Sequence, residues 1–211
     1  MADDSGERMG NGDQPELAIL AFGSLVSNPG LEITEIISHR LDGLTTPFNV
    51  EYARSSSTRG GAPTLVPVAS GGCPVRATAL VVRPGAGLEE VRDRLYRREI
   101  DQVGSARRYR HTALSRPGHV WLPTTDHVAG VRLAVYTVLE DNIPLEKRIP
   151  GHLASLAVGS VALAEPGRDG ISYLEANLTA GIITPLSHAY GAAILERTGT
   201  VSLAAARLSV G

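Results

Sequence analysis

Segments with the character of strands crowd the first two-thirds of this chain, and segments with the character of helices crowd the last third. That order predicts an α+β fold rather than regular βαβ alternation. Residues 17–22 (LAILAF) are wholly apolar and stop at Gly23-Ser24, the pattern of a buried first strand. Residues 48–52 alternate apolar and polar, as a half-buried strand does, and residues 64–68 continue the series. Residues 75–82 are rich in β-formers and read as a central strand; 120–122 and 131–139 read as later ones. Helices are expected over 31–38, from Leu88 to near Gln102, and over 152–163, 171–180 and 185–196. Pro185 suits a first helical position with Thr184 as its cap. Residues 55–61 form a polar loop, and 105–119 and the last dozen residues carry no decisive pattern.

A chain of 211 residues with 43% apolar and 20% charged residues can bury a core without covalent staples. Residues 1–15 are polar and read as a disordered leader before a single domain over 16–211. The lone Cys73 fits a reducing compartment, no secretory pattern opens the chain, and no apolar run nears the ~18 residues of a membrane span, so a cytoplasmic protein is expected. With a formal net charge of −2 and only short basic clusters, nothing points to nucleic acid as a partner. The six histidines have no metal-ligand spacing among themselves or with Cys73. There is no nucleophile elbow, no phosphate-binding loop, and Glu90 spoils the dinucleotide pattern begun at Gly85-Ala86-Gly87.

Three features carry chemistry. At about 100° per residue, Val91 and Leu95 fall within about 60° of Leu88, and Glu99 falls about 40° from Leu95. A carboxylate thus continues the stripe that faces the core, where desolvation fits a carboxyl for proton transfer near neutral pH. The same spacing also allows a helix already ending, with Glu99 at the surface beside Arg92 or Arg98; Arg97 and Arg98 themselves are expected to point to other sides. Second, Phe22-Gly23-Ser24-Leu25 ends a strand in a turn whose N–H groups can hold an anion. Third, the loop with Ser57 and Arg59 offers a guanidinium suited to a carboxylate.

These features, in this order, resemble the gamma-glutamylcyclotransferase-like family, including its glutathione-degrading ChaC-type relatives. The family's first strand ends in Tyr-Gly-Ser-Leu or Tyr-Gly-Ser-Asn, here Phe22-Gly23-Ser24-Leu25. A strand, a Ser/Arg/Gly loop and a strand follow, here over residues 52–68, and then a helix ending in an Arg-Glu pair, here Leu95-Tyr96-Arg97-Arg98-Glu99. Gly170-Ile171-Ser172-Tyr173-Leu174-Glu175-Ala176-Asn177 and Gly181-Ile182 are similar to the family's C-terminal helices. The resemblance implies a mixed β-barrel surrounded by helices, no metal and no organic cofactor. It implies an enzyme that releases 5-oxoproline from a small γ-glutamyl substrate, with Glu99 as acid/base and Phe22, Gly23, Ser24, Leu25, Ser57 and Arg59 around the substrate. Tyr136 either joins that pocket or is a core tyrosine. Phe22 stands where the family has tyrosine, so one hydroxyl is missing. A binding module that has lost turnover, or an amide hydrolase with the same pocket, remains open as an alternative.

Overall fold

The computed structural model describes residues 17–111 and 119–211; the leader expected over residues 1–15 lies outside them. Strand β1 (Ala18–Ala21) runs antiparallel to β5 (Arg76–Val82) on one side and parallel to β8 (Ala134–Val135) on the other. With β2 (Ile37–Thr45) outside β5 and β7 (Thr124–Thr125) outside β8, the sheet order is β2-β5-β1-β8-β7. Its centre is covered on both faces. Ile19, Ala21, Leu80 and Val82 pack with Val91 and Leu95 of α3 (Leu88–Glu99), while Ala18, Leu20, Ala77, Ala79 and Val81 pack on the opposite side with Val128 and Val131. A strand buried on both faces has no polar side, which is why residues 17–22 do not alternate.

A second layer pairs β3 (Val50–Ser56) with β4 (Ala62–Pro67). Against it lie α4 (Pro150–Ser160), α5 (Gly170–Thr179), α6 (Ser187–Thr198) and α7 (Leu203–Val210), whose Leu153, Ile171, Leu174, Ile194 and Ala206 share one core with Tyr52 and Leu65. Each fully buried Leu or Ile here is worth about 1.5–3 kcal/mol relative to exposure. A short pair, β6 (Val120–Trp121) with β9 (Val138–Leu139), completes the strands. Two single helical turns, α1 (Ser24–Ser27) and α2 (Leu31–Thr34), lead from β1 to β2. No helix among the described residues is long and apolar enough to cross a membrane.

The α+β class is as expected, with a mixed sheet. The barrel is not closed among the described residues: β2 and β7 are free ends of the main sheet, and β3-β4 and β6-β9 are separate two-stranded ladders. Closure needs a hydrogen-bonded neighbour on each side of every strand, and strands of two residues such as β6 to β9 cannot supply it.

Several elements also differ from expectation. The helix over 31–38 is one turn, after which the chain becomes edge strand β2, largely exposed and without an apolar face. The strand over 131–139 is split, because β8 joins the main sheet and β9 turns to β6. Helix α3 stops at Glu99 rather than near Gln102. Helix α6 begins at Ser187, so Pro185 lies before it, and the Thr184 hydroxyl donates to Glu51 instead of capping. The apparent alternation over 48–52 is misleading as well: Glu51 is buried, only 4% exposed.

Candidate active site

The end of β1 delivers the chain into a left-handed turn at Gly23, with φ 62° and ψ −141°. Glycine is needed here for a second reason: a Cβ would lie 2.6 Å from the Tyr173 hydroxyl. The following turn, α1, starts with N–H groups that a helix leaves without internal partners. Those of Gly23, Ser24 and Leu25 have no acceptor among the described residues. They border a cleft of about 710 Å³, floored in part by Leu65 and Val66 of β4.

Glu99 reaches this cleft from the last residue of α3. Its side chain is 10% exposed, and Oε1 accepts from Nη1 of Arg98 at 2.8 Å. Its other oxygen, Oε2, accepts no hydrogen bond from the described residues. The two readings left open for Glu99 therefore meet in one geometry: it follows the core-facing stripe of Val91 and Leu95, and it is paired with Arg98. Nη2 of the same guanidinium donates to Ser24 Oγ at 2.9 Å, which ties the carboxylate to the turn after β1.

Ser57 and Arg59 sit on a 3-10 turn between β3 and β4 and line the same cleft. The Arg59 guanidinium lies 4.8 Å over the ring of Tyr173, and Nη1 donates to the Arg168 carbonyl at 3.2 Å. No carboxylate pairs with it among the described residues. Burial, with the neighbouring charges of Arg168 and Arg98, lowers its proton affinity, whereas Tyr173 and Glu99 raise it. A cation held so close to other cations favours an anion beside it. Arg168 itself is compensated by Glu165 at 3.1 Å and Asp101 at 3.5 Å.

Phe22 also lines the cleft, with its ring edge-on to Phe48 at 5.8 Å. Tyr136 does not: its ring stacks on the far side of Phe48 at 4.5 Å, in the cluster behind the sheet, and burial pushes its phenol up. Of its two readings, the structure gives the core tyrosine.

Three cleft residues had not been assigned roles from sequence. Arg98 had been pointed elsewhere by helix phase. Tyr173 is buried, its hydroxyl accepts from the Leu65 N–H at 3.3 Å, and burial raises its phenol while Arg59 lowers it. Asn177 is 2% exposed, and its side-chain N–H group has no protein partner. A signal for the last two was present: Tyr173, Ala176, Asn177 and Ala180 recur at helical spacing and line the cleft as one face of α5.

The arrangement places a carboxylate with one open oxygen, unpaired backbone donors and an uncompensated guanidinium around one space. Such a set can bind an anionic group, polarise a carbonyl and move a proton. Comparison with protein-family models and with curated proteins finds no match to this chain.

Proposed function

We propose that the cleft is a γ-glutamyl cyclotransferase site. The supporting observation is that Glu99, with Oε2 open, and the unpaired N–H groups of Gly23, Ser24 and Leu25 border the same space. In this reading the α-amine of a γ-glutamyl group attacks its own γ-carbonyl carbon. A ring C–N bond forms, the bond to the leaving nitrogen breaks, and 5-oxoproline and an amine or amino acid are released. Glu99 takes the proton from the attacking ammonium and gives it to the leaving nitrogen. The backbone N–H groups hold the α-carboxylate or the oxyanion that develops, and Arg59 adds a cation for a carboxylate. Both reacting groups belong to one molecule, so folding it into attack geometry supplies much of the rate.

The test is release of 5-oxoproline from a panel of γ-glutamyl amines and peptides by wild type and Glu99→Gln. Wild type is expected to turn over at least one of them, and Glu99→Gln to be slower by about 10²–10⁴-fold. Equal release by both proteins removes Glu99 from the chemistry. Free glutamate in place of the lactam makes the protein a hydrolase, and thermal stabilisation by γ-glutamyl compounds without any product makes it a binding module.

A further inference from the structure

Arg98 and Glu99 are neighbours on a helix, where adjacent side chains point about 100° apart and do not normally meet. Here they meet at 2.8 Å, with side chains 18% and 10% exposed. The guanidinium is turned back by groups outside its own helix: Nη2 donates to Ser24 Oγ at 2.9 Å and to the Asn28 carbonyl at 3.0 Å. Gly30, at φ 87°, lets the loop close over the stem, since a Cβ there would lie 3.4 Å from Arg98 Cγ. One planar fork therefore links the end of α3 to the loop after β1. Among the described residues no other group donates to the Glu99 carboxylate.

We infer that Arg98 is the positioning residue of the cleft: it holds Glu99 by one oxygen beside the turn at residues 23–25 and leaves the other oxygen for proton transfer. Lysine would keep the charge but, as a single point, could not hold both sides as the fork does. The kinetic consequences rest on the cyclotransferase reading; the geometric one has its own readout.

The experiment is a pair of crystal structures, of Arg98→Gln and Arg98→Lys against wild type, beside 5-oxoproline release measured across pH. In Arg98→Gln the Glu99 carboxylate is expected to swing away from Ser24. Its kcat is expected to fall on the order of 100-fold, with KM within about threefold. The acidic limb of its pH profile is expected to move to higher pH, because the cation that favours the carboxylate is gone. Arg98→Lys should restore the profile without restoring kcat. Ser24→Ala, which removes one anchor and leaves both charges, should show a smaller loss of kcat and keeps the test alive if the arginine variants fold poorly. Glu99 unmoved in both arginine variants, or kcat within about threefold of wild type in Arg98→Gln and Ser24→Ala, overturns the inference. If wild type releases no 5-oxoproline, the cyclotransferase reading fails, and the position of Glu99 in the variant structures alone decides the role of Arg98.

Discussion

Gly23 answers two constraints with one missing side chain: a φ of 62° and a Tyr173 hydroxyl that would stand 2.6 Å from a Cβ. Gly23→Ala is therefore expected to destabilise the fold by about 1–3 kcal/mol, read by urea unfolding. The two causes separate in a double-mutant cycle. In a Tyr173→Phe background the hydroxyl is gone, so the clash part of the loss should vanish and the backbone part, about 1 kcal/mol, should stay. An unchanged loss in that background would assign all of it to the backbone. At this scale the sequence was most informative where a residue's spacing sets its direction. Val91, Leu95 and Glu99 share a face because a helix turns by a fixed angle, and the strand-ending Gly-Ser pair does open into the cleft. Arg98 defeats the same rule. Its stem is long enough to fold back, and what pulls it back is Ser24 and Asn28, 74 and 70 residues away in the chain. Tyr136 is the reverse case: nothing in its own sequence neighbourhood tells that Phe48 takes its ring.

Helix α5 carries the Tyr173–Asn177 wall of the cleft, and its start depends on Asp169. That carboxylate is 1% exposed; Oδ1 accepts from the Ser172 N–H at 2.9 Å, and Oδ2 accepts from the Ser172 hydroxyl at 2.9 Å and from Arg207 Nε at 2.8 Å. It thus caps α5 and fastens α7 to it. Asp169→Ala removes the cap and leaves buried donors unpaired, with an expected cost of about 2–4 kcal/mol in urea unfolding. Asp169→Asn keeps an acceptor for the Ser172 N–H and gives up only the charge on Arg207, so it should cost clearly less. Equal costs would mean that the ion pair, not the cap, holds the helix. The elements legible beforehand were those whose own residues fix their period or their burial: β1, β5, α3, α4 and α5. Edge strand β2 was missed because an exposed edge needs no apolar face, so Ile37 to Thr45 leaves no alternation to read. The division of residues 131–139 into β8 and β9 is set by which neighbours pair with each half, a fact of topology rather than of composition.

Three carboxyl groups tie distant parts of the molecule together, and they titrate in opposite senses. Glu51 joins β3 to the start of α6, accepting from the Thr184 hydroxyl at 2.5 Å and from the Tyr52 N–H at 2.9 Å. Burial raises its pKa above the ordinary 4.5, and those hydrogen bonds only partly offset the rise. Glu32 joins α2 to Arg97 of α3 and to the Gly104 N–H, and the hydrogen bond from Arg97 holds it below 4.5 against its burial. For Asp169, burial alone would raise the carboxyl, but the Ser172 N–H, Arg207 and the Ser172 hydroxyl together hold it below its ordinary 3.8. A carboxyl raised in the fold binds more protons there than in the unfolded chain. The contribution of Glu51 is thus whole below pH 4.5 and is lost as pH rises through its folded value. The two lowered groups contribute fully above their unfolded values of 4.5 and 3.8, and that contribution is lost as pH falls through their lower folded values. Urea unfolding from about pH 3 to about pH 8 can separate these terms by difference against wild type. Glu51→Gln should change in stability relative to wild type as pH rises past 4.5, always in its own favour, while Asp169→Asn should approach wild type only toward the acid end. A Glu51→Gln difference that stays flat across the range would mean that the β3–α6 junction does not hold a raised carboxyl, and that its strength lies in packing around Tyr52 and Tyr190 alone.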